Sequence, residues 1–257
     1  MLPATRSDEH LYRVPKFSLG KGDVKDFMNE LRGFHDQFAD CFNRSESRTH
    51  FFNYMAGQFS DLERKSIEPI ALAIKNGNVR AMQRFVSVAQ WDDDKIISKY
   101  RSLVNEDLGS ANAALIFDES GFVKKGAESI GVSRQYCGSI GKVDNCQVGV
   151  FAGYVSENGY ALVDKQLFIP KKWFTDQFQS RRKKCNLPEG TKFRTKSQLA
   201  AQMLGEIGSE NVLPFKYILG DSIYGTSPEF IEAAEAFADK TYFVSVPKNT
   251  QCWLKQP

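Results

Sequence analysis

The sequence predicts a mixed α/β chain of the α+β kind: an N-terminal helical region, then a five-stranded mixed sheet with flanking helices. Three observations carry that reading. Apolar residues recur at three- and four-residue steps from Val24 to Leu108. Short continuous apolar runs replace that period after Gly109. Two of those runs end at an aspartate, Asp118 and Asp221.

In the helical region, Val24, Phe27, Met28, Leu31, Phe34, Phe38 and Phe42 fall on one face, after Asp23 as N-cap. Ser60-Asp61-Leu62-Glu63 has the capping-box pattern, which predicts a helix start there. A further helix is expected over Val79–Ala89. Another follows Asp92-Asp93-Asp94, whose charge suits a helix N-terminus, and ends at Gly109. Its apolar stripe is Ile96, Ile97, Tyr100, Leu103, Val104 and Leu108.

In the second region, Ala113–Phe117 reads as a buried central strand. Val148–Val155 and Tyr160–Ile169 flank Asn158-Gly159, a hairpin signal because a type I′ turn needs positive φ at both central residues. Phe215–Leu219 is a fourth strand. Ser227-Pro228 opens a helix that buries Phe230, Ile231, Ala234 and Phe237, and Thr241–Val246 is the fifth strand. This order predicts three antiparallel strands extended by parallel ones. The expected domains are residues 1–109 and 110–257.

Composition narrows the class. The chain has 257 residues, 42% hydrophobic and 25% charged, the balance of an ordinary soluble protein. Met1–Lys16 contains no apolar run, so no signal peptide is expected, and no stretch approaches the roughly 20 apolar residues of a membrane span. The five cysteines (Cys41, Cys137, Cys146, Cys185, Cys252) form no Cys-x-x-Cys pair, and His10, His35 and His50 are isolated. That pattern argues against structural zinc and for reduced thiols in a cytoplasmic protein. The net charge is only +3, but Lys165–Lys196 holds ten basic residues against Asp176 and Glu189. Such a block is either a surface facing a polyanion or a solvated helix.

Asp118 and Asp221 each follow a buried strand and precede a loop glycine, in Asp118-Glu119-Ser120-Gly121 and Asp221-Ser222-Ile223-Tyr224-Gly225. Carboxylates at neighbouring strand tips can converge, and oxygen ligands of this type suit Mg²⁺ or Mn²⁺. Taken singly, each aspartate would more simply cap a turn. As a pair in matching context they point to a metal site. Glu119 alternates to the other side of its strand and is not expected to be a ligand. Trp91 and Trp173 read as packing residues, and Trp253 as a possible stacking platform for a base.

The segment Phe117-Asp118-Glu119-Ser120-Gly121-Phe122-Val123-Lys124-Lys125-Gly126 resembles the first catalytic motif of DDE-type insertion-sequence transposases. Arg134-Gln135-Tyr136, Gly141-Lys142, Asn145 and Gln147-Val148-Gly149-Val150 resemble the segment after it, and Gly220-Asp221-Ser222-Ile223-Tyr224-Gly225 the second motif. Val246–Thr250, Tyr54–Gly57, Leu62–Ser66, Met82–Phe85 and Gln90–Asp92 extend the likeness over most of the chain.

The resemblance implies a retroviral-integrase-like RNase H core. The implied activity is cleavage and strand transfer of DNA at transposon ends, with Mg²⁺ or Mn²⁺ on Asp118 and Asp221. It also implies double-stranded DNA (terminal inverted repeats and target) as partner, a homodimer on DNA, and a location in the cytoplasm on the nucleoid. Lys124, Lys125, Arg134 and Lys142, with the cluster Arg181, Arg182, Lys183 and Lys184, are the expected DNA contacts. The family's third carboxylate is a glutamate beyond the fifth strand. Thr250–Pro257 contains no acidic residue, so the core reads as C-terminally incomplete. Two rivals follow. One is a catalytically inactive, truncated transposase that binds DNA or inhibits. The other is a haloacid dehalogenase-type phosphatase, which would need an aspartate where Ser120 stands and another at Gly225.

Overall fold

The computed structural model describes Ser18, residues 20–74 and residues 77–251. Trp253 lies outside these residues. The chain divides into two compact units, one up to Ile96 and one from Ile97.

The first unit is helical, with α1 (Lys21–Asp36), α2 (Ser45–Gln58), α3 (Ile67–Ala73) and α4 (Val79–Ser87). α4 starts at Val79 as expected, whereas two other helix starts differ from the expectation. Gly20 is the N-cap of α1, and Asp23 reaches back as N3 to accept the Gly20 amide at 2.7 Å. The predicted capping box at Ser60 does not form, since Ser60 Oγ donates to the Gly57 carbonyl at 2.7 Å and α3 begins only after Ser66. The expected apolar face of α1 is mostly outside the core: Val24, Phe27 and Phe34 are exposed, whereas Leu31 is buried. Phe38 and Phe42, beyond the end of α1, are buried. Ring contacts link Phe42 to Phe51, Phe85 and Trp91, and Ile70, Ala71 and Met82 form a second small core.

Helix α5 (Asp93–Leu108) follows, with Asp92 accepting the Lys95 amide at 2.8 Å. In the second unit the sheet has six strands, not five: β1 (Ala114–Val123), β2 (Ser133–Cys137), β3 (Lys142–Ser156), β4 (Gly159–Phe168), β5 (Tyr217–Gly220) and β6 (Thr241–Val244). The additional strand is β2, which carries no apolar run and is held by pairing with Lys142–Cys146, the start of β3. The order is β2-β3-β1-β5-β6, with β4 on β3 as well. β1, β2, β3 and β4 pair antiparallel, and β1-β5 and β5-β6 pair parallel, as the element order predicted. The hairpin forms, but β3 closes on β4 through Glu157-Asn158, with Gly159 the first residue of β4 at φ 145°; Asn158 has no positive φ, so the expected type I′ turn over Asn158-Gly159 does not form.

One face of the sheet is covered by α7 (Lys196–Glu210) and α9 (Pro228–Glu235); α6 (Gln179–Lys184) and α8 (Ser222–Gly225) are short. Alternation in β1 sends Leu115 and Phe117 into this core, where they meet Met203, Leu204 and Phe230. Burying each such side chain contributes roughly 1.5–3 kcal/mol. Helix α9 starts as read from the sequence: Ser227 caps it, with Pro228 in the first turn. The mixed sheet and its helices agree with an RNase H-like α+β fold. Among the described residues no helix is long and apolar enough to cross a membrane.

Candidate metal centre

The core places the two aspartates. Because Leu115 and Phe117 point into the apolar layer, the next residue on β1, Asp118, emerges on the opposite face. β1 continues to Val123 against β3, so Asp118 lies within a strand and not past its end. It does stand just beyond the parallel pairing with β5, which stops at Phe117 opposite Gly220. Asp221 follows Gly220 immediately. The two aspartates are therefore successive to the last pair on adjacent strands, whose spacing is about 4.8 Å. Both line one cleft of about 460 Å³, together with Ile116, Leu219, Phe243 and Ser245.

Each carboxylate is half anchored. Asp118 Oδ1 accepts the Glu119 amide at 2.8 Å. Asp221 Oδ1 accepts the Ile223 amide at 2.8 Å, capping the turn α8. The capping role and the shared cleft thus coexist. The Oδ2 atoms have no protein partner among the described residues. The Asp118 carboxyl is held above the ordinary aspartate range, first by lost hydration in the cleft and then by the like charges of Glu119 and Asp221. The Glu119 amide and the Lys196 ammonium oppose that shift. Two hard oxygen donors with free lone pairs, raised in energy by mutual repulsion, fit a divalent cation that keeps most of its waters. Among the described residues no group of three His, Cys, Asp or Glu side chains gathers at one point, so this pair has no third acidic ligand there.

The basic candidates separate. Arg134 pairs with Asn145 in register, and Asn145, Gln147, Gly149 and Phe151 alternate along β3 to Asp118. That register puts Arg134 on the aspartates' face. Lys142, one step out of phase, lies on the other face and approaches Asp144 at 3.7 Å. Lys124 and Lys125 are in the loop after β1, which Asn145 ties down by donating to the Lys124 and Gly126 carbonyls at 2.6 and 2.9 Å.

In α6 the four basic residues do four different things. Arg182 donates to the carbonyls of Trp173 and Thr175 at 2.6 and 2.9 Å, a structural use of the fork. Arg181 lies over the Phe178 ring at 5.0 Å, and Lys184 pairs with Glu128 at 2.8 Å. Lys183 lines an open groove with Phe174 and Gln179. Trp173 itself is fully buried, as expected of a packing residue.

Sequence reasoning missed Lys196 and Tyr224 and underused Glu119. Glu119 points to the core side, as alternation required, but there it accepts from Lys196 Nζ at 2.7 Å and from the Tyr224 hydroxyl at 3.2 Å. The available signal was the tyrosine of the Asp221 motif and the lysine that ends the basic block.

With this geometry in place, two comparisons give the lineage. A family model described as DDE superfamily endonuclease matches residues 37–257. A relative from Microchaete diplosiphon, described as a probable transposase for insertion sequence element IS701, is 30% identical over 205 residues. The match covers 77% of this chain and 49% of that protein, so the chain spans about half the relative's length. The phosphatase reading has no support from either match, and both sequence departures noted at Ser120 and Gly225 agree. The chain belongs to the DDE superfamily endonucleases.

Proposed function

We propose that this chain carries the first two carboxylates of a transposase that cleaves and rejoins DNA at transposon ends. The observation that supports it best is the pair of free Oδ2 atoms of Asp118 and Asp221, facing one cleft from adjacent strands. These oxygens would hold Mg²⁺ or Mn²⁺. When bound, the ions supply charge neutralisation at the scissile phosphate and acidify the attacking oxygen.

The chain's own groups do the rest. The amides of Glu119 and Ile223 fix the carboxylate planes. Arg134, Lys124 and Lys125 neutralise flanking phosphates, and Arg181, Lys183 and Lys184 extend contact along the duplex. The helical unit contributes further DNA contacts, and two copies work on paired ends.

A second reading, binding DNA without cutting, is favoured by the absence of a third acidic ligand among the described residues. One assay separates them: the purified protein with Mg²⁺ and duplex DNA from the flanks of its own gene. Cleavage that Asp118→Asn or Asp221→Asn abolishes, with binding retained, supports the first reading. Binding without any cleavage supports the second. Cleavage that survives both substitutions removes the aspartates from the chemistry.

A further inference from the structure

We propose that Tyr224 and Glu119 form a cross-brace that sets the spacing of Asp118 and Asp221, with Lys196 as its counter-charge. This rests on the reading of the aspartates as a metal pair. The β1-β5 ladder ends at Phe117 opposite Gly220, one residue short of both aspartates. Among the described residues, the next hydrogen bond between the two segments is the Tyr224 hydroxyl donating to Glu119 Oε2 at 3.2 Å. Glu119 directly follows Asp118, and Tyr224 lies one helical turn beyond Asp221. The brace therefore closes, on the core side of the sheet, the gap that the aspartates span on the other.

Its parts are fixed from several sides. Tyr224 is fully buried, so its hydroxyl has no water to turn to. Its ring packs on Phe230 at 5.3 Å and leaves no room for a side chain at Gly220. Glu119 gives its other oxygen to Lys196 at 2.7 Å, so both carboxylate oxygens are engaged. Lys196 opens α7, whose start is held by the reciprocal Thr195–Gln198 capping box. Ser197 Oγ, next along, donates to the Ile223 carbonyl at 3.1 Å and ties α7 to the turn that carries Asp221. Tyr224 and Glu119 act on the core side of the sheet through the neighbours of the two aspartates; they are positioning residues.

The test uses Tyr224→Phe, which removes one hydroxyl, keeps the packed ring and changes no charge. Mn²⁺ is titrated into isotope-labelled protein, and paramagnetic broadening of the amides at Asp118 and Asp221 is followed. Outer partners of ligating carboxylates strongly tune metal affinity, so the broadening midpoint should rise about tenfold. Tyr242→Phe is the control: it deletes an equivalent tyrosine–glutamate bond, to Glu235 at 3.1 Å, at a surface site, and should leave the midpoint unchanged. Without metal, amide exchange at Ile223 and Gly225 should quicken in Tyr224→Phe alone. If Tyr224→Phe fails to fold, Glu119→Ala, which deletes the acceptor, provides the same exchange readout.

An unchanged midpoint in Tyr224→Phe overturns the brace and leaves the metal pair standing. Wild-type broadening that persists undiminished in Asp118→Asn, or never appears, overturns the metal pair and the brace's purpose with it.

Discussion

The guanidinium of Arg101 meets the carboxylate of Asp164 at 2.6 Å, with both side chains more than nine-tenths buried. Arg101 also reaches Glu210 at 2.7 Å and the Val163 carbonyl at 3.2 Å, joining the C-terminal half of α5 to β4 and α7. Removing one partner of a buried pair strands the other charge, which costs about 3–5 kcal/mol. Arg101→Met should therefore lower the melting temperature by on the order of 10 °C. Arg101→Met with Asp164→Asn should recover a good part of that loss. Equal melting of Arg101→Met and wild type would refute the account.

Gly225 closes the turn after Asp221, and a Cβ built there would run into the backbone carbonyl of Ser245. Backbone cannot yield as a flexible side chain does. Gly225→Ala should cost about 2–3 kcal/mol and displace the Asp221 turn, weakening Mn²⁺ broadening at that amide. Calorimetry and the metal titration check both halves.

Arg182 and Lys183 are neighbours with opposite expected phenotypes. Arg182→Ala unties the carbonyls of Trp173 and Thr175 and should lower thermal stability. Lys183→Ala should leave melting unchanged and reduce the slope of log affinity against log salt by about 0.9, the value for one phosphate contact. DNA binding measured across a salt series, beside melting curves, separates them. A salt slope untouched by Lys183→Ala would take that lysine off the DNA.

Asp118 bears on stability as well as on metal. Its carboxyl is held above the ordinary range, so folding favours the protonated form. Whatever stability it contributes is complete at low pH and lost as pH rises through the folded value. Asp118→Asn, neutral throughout, escapes that loss. It should melt at or above wild type at pH 7 without divalent ions, with the gap closing toward about pH 4. A lower melting temperature at pH 7 would contradict this. On the proposed metal reading, binding would have the opposite pH dependence, because protonating Asp118 would remove a ligand.

The sequence made some of this legible and hid the rest for physical reasons. β1, β5 and the β3-β4 hairpin announced themselves because buried strands must be apolar and Gly159, at φ 145°, takes a conformation that favours glycine. The aspartates were visible because each interrupts such a run. β2 was not, since its inward positions are Ser133, Gln135 and Cys137, of which two are polar, and its Arg134 and Tyr136 are exposed. The start of α1 moved from Asp23 to Gly20 because an aspartate serves as N3 as readily as N-cap. Ser60 kept the capping-box letters but spent its hydroxyl on the end of the preceding helix. Arg101 was passed over within an apolar stripe because its partners lie far along the chain. The Tyr224–Glu119 contact was hidden for the same reason, the two residues being 105 positions apart.

The outer edge of β3 is shared between two strands, β2 along Lys142–Cys146 and β4 along Val148–Ser156. Gln147 sits at the junction and holds the Ile130 carbonyl at 2.6 Å. Two separate ladders on one edge set two registers on one strand: β2 fixes the face of Arg134 through Cys146, and β4 holds the stretch of β3 that pairs with Asp118.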